Sequence, residues 1–221
     1  MSEVLEERAE SIRMIRDSAG AVAPRGGDSK RVRALRFAAP GYDKNVFGQM
    51  GEFGWIGLAV AEAAGGAGLG MSEAIALTEE LASGLAPEPL IAAMLSARLL
   101  AASDDQSLLA PLLAGQQMVL TAWQERADTL AAPGNADAPR VFIPQAGGAD
   151  VFLVPVREGA GLALYAVPAA GADLSLEKTM DGGYFGTLRT DPVKGKRIAF
   201  DVGAVLDAAL DEAALMTAGA M

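Results

Sequence analysis

One segment, from Gly51 to Pro89, constrains the fold most, because it combines a helix end, a glycine-rich turn and a second helix. Gly54 is the expected stop of the first helix, since glycine accepts the left-handed backbone that follows a helix end. Ser72 followed by Glu73 is typical of an N-cap and an acidic first turn. The turn between the two helices carries glycines that permit positive φ: Gly65, Gly66, Gly68 and Gly70. The segment therefore predicts two helices held at a fixed angle.

The same segment lacks the spacing of two nucleotide-binding motifs. A GxGxxG fingerprint starting at Gly66 would place its third glycine at position 71, which is Met71, and no acidic residue follows a second apolar strand at the required distance. A P-loop needs Lys and then Ser or Thr after its last glycine, whereas Met71 and Ser72 follow Gly70. A packing turn is therefore favoured over a nucleotide loop.

Composition excludes several classes of protein. The chain has 221 residues, 51% of them hydrophobic, which is enough for a sizeable core. Its formal charge of −10 argues against a nucleic acid or an anionic membrane as partner. The sequence contains no His and no Cys, which excludes disulfides, thiolate and Ser-His chemistry and most zinc sites, so no metal site is expected. The absence of a secretory leader pattern makes the cytoplasm the expected location.

Hydrophobic periodicity divides the chain into a helical half and a strand-rich half. We expect helices over 2–19, 29–37, 43–53, 72–83, 87–102 and 105–113, with a break over 20–28. The third of these should present one apolar face and be capped by Asp43, and Asp104 or Asp105 should cap the last. The apolar face of the third helix consists of Val46, Phe47, Met50 and Phe53.

After Gly115 the pattern changes to short apolar or alternating runs separated by Gly, Pro and Asp, which is typical of strands. They span 118–123, 140–144, 151–156, 162–167, 174–180, 184–189 and 197–201. From about Val205 a helix is expected again, with Leu206, Leu210 and Leu215 near one face. The predicted fold is α+β: a helical domain over 1–116, a small antiparallel β-barrel or sandwich over 117–203, and the start of a further helical domain over 204–221.

The amino-acid sequence from Gly51 to Pro89 resembles the N-terminal helical domain of the flavin-dependent acyl-CoA dehydrogenase family. That family shows a Gly-aromatic-hydrophobic-Gly-Leu run, here GWIGL from Gly54, then a glycine turn, here GGAG from Gly65, then a Glu-Glu-Leu helix that ends near proline, here from Glu79. Ala63 and Ala64 replace the polar and aromatic residues often found before the paired glycines. The resemblance is strong over 43–125 and weak beyond, and it implies the first two of the three domains of the family.

The resemblance also implies where FAD would bind. In the family, a Thr-Glu-Pro strand end and a Trp-Ile-Thr or Trp-Ile-Ser stretch face the flavin. The first corresponds here to Trp123, Gln124 and Glu125, with Arg126 in place of proline. The second corresponds to Phe142, Ile143 and Pro144, and Pro144 lacks both a side-chain and a backbone donor. Gln124, at the threonine position, can still donate a hydrogen bond to the flavin ring. In the family a third domain and a neighbouring subunit supply the rest of the flavin site, so FAD is expected in the complete protein and weakly or not at all in this chain.

The activity implied is α,β-dehydrogenation of an acyl-CoA thioester. Thr129 is the nearest hydroxyl to the position of the family's pantetheine-binding serine and is the candidate substrate contact. The family's base is a glutamate of the third domain, so no residue here is assigned as catalytic. The resemblance further implies fatty acid metabolism and a homo-oligomer, either a dimer or a tetramer.

Two other interpretations stay open at this point. The chain could be a non-catalytic or half-site subunit that pairs with a second acyl-CoA dehydrogenase chain, an interpretation that the substitution at Pro144 favours. It could also be an unrelated helical and β protein whose glycine turn is fortuitous.

Overall fold

The computed structural model describes residues 2–26, 29–189 and 191–221, and it confirms the α+β class. The helices are α1 (Ser2–Val22), α2 (Ser29–Leu35), α3 (Lys44–Glu52), α4 (Met71–Ser83), α5 (Leu90–Ala101), α6 (Leu109–Leu113) and α7 (Gly203–Ala220). The strands are β1 (Val119–Thr121), β2 (Arg140–Pro144), β3 (Val151–Glu158), β4 (Gly161–Pro168), β5 (Asp173–Lys178), β6 (Tyr184–Arg189) and β7 (Lys196–Ala199). Helix α1 continues past the expected break to Val22, while Gly27 and Asp28 lie outside the described residues.

The strands form two open sheets rather than a closed barrel. One has the order β1-β3-β4-β7 and the other the order β2-β6-β5. The expected antiparallel pairing is found everywhere except between β1 and β3, which are parallel, with Val119 opposite Val151. The chain between these two strands passes through β2 in the other sheet, and such a long crossover permits parallel pairing.

The long strands β3 and β4 form the centre of the β half. They pair from Val151 opposite Pro168 to Glu158 opposite Gly161, and most of their side chains on both faces are buried. Burial on both faces is typical of central strands with a layer on each side. A single cluster of buried apolar residues extends from the helices into these strands. The division into domains at 116 and 203 stays a prediction.

Helix α3 ends as its sequence predicts. Asp43 caps its start, accepting a hydrogen bond from the Asn45 amide at 2.8 Å. At its end Gly54 has φ 73°, and the Trp55 amide donates to the Met50 carbonyl at 3.0 Å. This pattern is a Schellman motif. Phe53, predicted to share the apolar face of this helix, is instead its C-cap residue and lies exposed, with its ring stacked on Trp55.

The glycine turn uses its glycines in different ways. Gly65 and Gly68 have φ of 86° and 63°, as expected, but Gly66 is required for space, because a Cβ there would overlap the Val60 carbonyl. Gly70 is the N-cap of α4, and its amide donates to Glu73 Oε2 at 3.2 Å. The prediction that Ser72 caps the helix was therefore wrong, whereas the role of Glu73 in the first turn is confirmed.

Two further helix predictions are corrected. Neither Asp104 nor Asp105 caps α6, whose N-cap is Leu108; Asp105 instead accepts a hydrogen bond from the Ser107 amide at 2.9 Å. In α7, Leu206 is buried but Leu215 is exposed. Nine residues separate them, which at 100° per residue places them on opposite sides of the helix. The buried face of α7 consists instead of Leu206, Ala209 and Met216, and it packs against α4 and α5.

Candidate functional site

A large apolar cleft lies where α5 and α7 meet the ends of β1 and β2. Its volume is about 670 Å³. Helix α5 contributes the residues around Ile91 and Leu95, α7 contributes residues from Leu210 to Ala218, and β6 contributes Phe185. Met221, directly after α7, also lines the cleft. Clefts of this size with mostly apolar walls and few polar groups are typical of small-molecule sites. Four of the seven predicted site residues line this cleft: Trp123, Gln124, Phe142 and Pro144.

Trp123 and Gln124 lie two and three residues after the end of β1 and are both half-buried. The side-chain nitrogen of Gln124 lies 3.0 Å from the Arg126 carbonyl and 3.5 Å from the Thr129 carbonyl. Since both partners are acceptors, the amide hydrogens are directed at the backbone of its own loop, and only the oxygen of this side chain is left for another group. Gln124 is therefore an acceptor in the cleft.

Glu125 points away from the cleft. Its Oε1 accepts from the Asn135 amide at 2.8 Å and lies 3.5 Å from Arg140 Nη1, and both side chains of this ion pair are buried. Arg140 also donates to the carbonyls of Asn135, Ala138 and Pro155. Burial lowers the pKa of Arg140, and the charge of Glu125 opposes that shift. In this structure Glu125 anchors the loop between β1 and β2.

The second predicted segment has an irregular backbone. The pairing of β2 with β6 shifts register between Arg140 and Ile143, and Phe142 within this bulge has φ 55°. Bulges change the direction of a side chain, and positive φ in an aromatic residue is uncommon. As a result Phe142 stands in the cleft, edge to face with Phe185 at 5.9 Å between ring centroids. Ile143 turns into the core, and Pro144 lines the cleft with no hydrogen to donate.

Thr129, the predicted substrate contact, does not line the cleft. Its hydroxyl oxygen accepts from the Ala131 amide at 3.0 Å, which closes a short turn in the loop after β1. The neighbouring Leu130 lines the cleft instead and is largely exposed. The loop therefore contributes an apolar side chain at the position where the sequence suggested a hydroxyl.

Glu88, two residues before the start of α5, was missed by the sequence analysis. Its side chain is completely buried, forms an ion pair with Arg31 of α2 and accepts from the Asp43 amide at 3.1 Å. Its other oxygen, Oε2, has no hydrogen-bond partner in the described part of the chain. Burial raises the pKa of Glu88, while Arg31 and the Asp43 amide oppose that shift. Buried carboxylates are not visible in a periodicity pattern, although the flanking Pro87 and Pro89 could have suggested a rigid position.

Cleft residues from α7 and Phe185 were also missed. They lie about 90 and 60 residues away from Trp123 in sequence, and no local pattern links them. Within the described ranges, no group of His, Cys, Asp and Glu could hold a metal ion, and no helix is long and apolar enough to cross a membrane.

Comparison with known proteins identifies the fold. The family model described as acyl-CoA dehydrogenase, N-terminal domain, matches residues 9–107. A variant of the Tcur3481–Tcur3483 steroid ACAD is 28% identical over 97% of this chain and 62% of its own, with a TM-score of 0.77. No curated protein sequence matches the chain.

Two further solved structures share the fold at lower identity. The ChsE4–ChsE5 complex from Mycobacterium tuberculosis is 21% identical, with a TM-score of 0.73 over 91% of this chain and 59% of its own. Butyryl-CoA dehydrogenase from Megasphaera elsdenii is 18% identical, with a TM-score of 0.70 over 96% of this chain and 64% of its own. The chain thus spans less than two thirds of each of these three structures; it shares their fold, and its residues 9–107 match the N-terminal domain of acyl-CoA dehydrogenases.

Proposed function

We propose that the chain contributes the acyl-binding and flavin-facing cleft of an FAD-dependent acyl-CoA dehydrogenase, which desaturates an acyl-CoA thioester between its α and β carbons. The observation that supports this most is the convergence of both flavin-facing segments, through Trp123, Gln124, Phe142 and Pro144, on one apolar cleft closed by α5 and α7. Apolar walls exclude water, which strengthens electrostatic interactions during proton abstraction. A fatty or otherwise apolar acyl group and a cytoplasmic location are parts of this proposal.

The residues present only partly fit a flavin ring. The cleft is large enough and has aromatic walls, but the polar edge of the ring requires hydrogen-bond donors. The hydrogens of Gln124 are given to its own loop, Glu125 is paired with Arg140, and Pro144 has none. Of the six predicted cofactor residues, only Trp123 keeps a side-chain N–H that no described residue accepts. We therefore expect this chain alone not to retain FAD.

The catalytic base is proposed to come from outside residues 1–221. Glu88 lines the cleft, but its side chain is completely buried and is held by the ion pair with Arg31 and by the hydrogen bond from the Asp43 amide. The role of this chain's residues is to bind, orient and exclude water, rather than to take the proton.

A second function, as the half-site subunit of a two-chain dehydrogenase, is favoured by the same lack of donors at Gln124 and Pro144. Two of the matched solved structures are two-component assemblies by their names, Tcur3481–Tcur3483 and ChsE4–ChsE5. In this alternative the chain would complete a partner's cleft and bind no flavin of its own. The first proposal would instead fit a homo-oligomer.

The experiment compares the 221-residue chain with the same chain joined to the polypeptide that completes it, either its own continuation or a partner subunit. The 221-residue chain should purify colourless, and the completed protein should be yellow. Anaerobic addition of a panel of acyl-CoA thioesters should then bleach the bound flavin. If the completed protein binds flavin and no thioester bleaches it, the dehydrogenase proposal fails. If flavin and bleaching appear only with a partner subunit, and not with the chain's own continuation, the half-site function replaces it.

A Pro144→Thr variant tests the reason given for weak flavin binding. It restores a hydroxyl and a backbone N–H at the position where the family has a donor. The completed protein that carries this substitution should bind flavin more tightly than the completed protein with Pro144. Unchanged affinity would show that the lack of a donor at this position is not what limits binding.

A further inference from the structure

Two buried hydroxyl groups meet at the boundary between the cleft and α5. Ser96 of α5 is completely buried, Thr121 of β1 is nearly so, and their oxygens are 2.9 Å apart. Thr121 lines the cleft together with Trp123, which lies two residues further along the chain and therefore on the same side of the extended backbone. The proposed function assigns no role to this pair.

The positions of the two hydroxyl hydrogens follow from their neighbours. Ser96 Oγ lies 3.1 Å from the Ala92 carbonyl, which can only accept. If Ser96 donates to Ala92, the hydrogen between the two hydroxyls must come from Thr121, and the pair makes two internal bonds. If Ser96 donates to Thr121 instead, the bond to Ala92 is lost and only one remains, because Thr121 has no other described side-chain hydrogen bond. The first arrangement is favoured, since each buried hydrogen bond is stabilising.

We propose that Thr121 Oγ1 acts as a fixed hydrogen-bond acceptor in the cleft and selects a ligand that carries a hydroxyl or N–H donor on an otherwise apolar body. We call the chain of hydrogen bonds from Thr121 to Ser96 to the Ala92 carbonyl the hydroxyl relay. A ligand hydroxyl extends this relay by donating to Thr121. The proposal rests on the cleft being the ligand site of the proposed function, and it adds the chemical class that the ligand must belong to.

A ligand that offers only an acceptor is discriminated against. To bond it, Thr121 must turn its hydrogen into the cleft, Ser96 must turn toward Thr121, and the bond to Ala92 breaks. The ligand therefore gains one bond and the protein loses one. An alcohol should consequently bind about fivefold more tightly than the corresponding ketone, which is the difference that one net hydrogen bond makes.

The test uses a matched pair of bicyclic probes, decahydro-2-naphthol and its ketone 2-decalone, titrated into the 221-residue chain and followed by NMR. The alcohol should have a dissociation constant about five times lower than the ketone. Shifts should appear at Thr121 and Trp123. Equal affinities, a preference for the ketone, or shifts that are absent from the cleft would overturn the proposal.

Two variants separate the relay from simple packing. Thr121→Val keeps the shape but removes the acceptor, so alcohol and ketone should bind equally. Ser96→Ala removes the partner that fixes the Thr121 hydrogen, so the hydroxyl can donate or accept and the preference should again disappear. Thr187→Val, the same substitution at a buried strand position outside the cleft, should keep the fivefold preference. A preference that survives in Thr121→Val assigns the discrimination to another group and ends the proposal.

This result is independent of the dehydrogenase activity. If thioesters fail to bleach the flavin of the completed protein while the alcohol preference holds, the proposed reaction fails and the relay stands. If bleaching occurs and the preference is absent, the relay alone is wrong.

Discussion

The glycine turn over 65–70 and the cleft differ in how well the sequence predicted their structure. Both contain residues that match motifs of the same family. Gly54 at the end of α3 and Gly65 and Gly68 in the turn have the positive φ that glycine allows. In the cleft, adjacent residues go to different places: Gln124 lines the cleft, while Glu125 turns into a buried ion pair with Arg140. A backbone requirement is a property of one residue, whereas the destination of a side chain depends on partners distant in sequence.

The largest expected effect on stability is at the buried Glu125–Arg140 ion pair, which anchors the loop that follows β1. Replacing Glu125 with Ala leaves the buried charge of Arg140 without its carboxylate, and breaking a buried ion pair typically costs about 3–5 kcal/mol. We expect a loss near 3 kcal/mol in the free energy of unfolding by urea, because three backbone carbonyls still accept from Arg140.

The matched control is Arg126→Ala, which breaks the exposed Arg126–Asp128 pair in the same loop. Exposed pairs contribute about 0–1 kcal/mol, so little change is expected. Equal losses in the two variants would show that burial of the Glu125–Arg140 pair is not what stabilises the loop.

The second prediction tests the turn. A Gly66→Ala substitution forces a methyl group into the Val60 carbonyl and should destabilise the chain by about 3 kcal/mol. Gly54→Ala meets no neighbour but keeps a positive φ, and should cost about 1–2 kcal/mol.

Gly48→Ala, within α3 and with open space around it, serves as the control and should stabilise by about 0.5–1 kcal/mol. Thermal unfolding of the three variants ranks their stabilities: Gly66→Ala should be the least stable and Gly48→Ala the most stable. If Gly66→Ala proved no worse than Gly54→Ala, space would not be the reason for glycine at position 66.

The third and smallest effect is a pH dependence at the helical edge of the cleft. Burial raises the pKa of Glu88, so the folded chain holds the proton more tightly than the unfolded chain does. The contribution of this residue to the free energy of unfolding must therefore fall as pH rises from the ordinary glutamate value through the raised pKa.

Glu88→Gln removes the titrating group but keeps an acceptor for the Asp43 amide. Relative to the unmodified chain, this variant should gain stability as the pH rises above the ordinary glutamate pKa, as measured by urea unfolding at each pH. Parallel pH profiles for the two proteins would mean that Arg31 compensates the burial completely.

Limited proteolysis examines the division between the two halves. The sequence places it near 115–117, where the periodicity changes, and Gly115 there has φ 66°. We expect cleavage at that point or in the loop over 131–139, separating a helical from a β fragment. Cleavage elsewhere first, with both segments intact, would argue against two domains.

What the sequence determined by itself is local: the helix that Asp43 begins and Gly54 ends, the boundaries of β2 and β6, and the glycines that must adopt positive φ. These follow from capping, alternation and backbone sterics, which act within a few residues. The tertiary structure alone decided the parallel pairing of β1 with β3, the burial of Glu88 and Glu125, the placement of Phe142 against Phe185, and the hydroxyl pair of Ser96 and Thr121. Each of these depends on contacts between segments separated by 15 or more residues, whose energy exists only once the chain has folded.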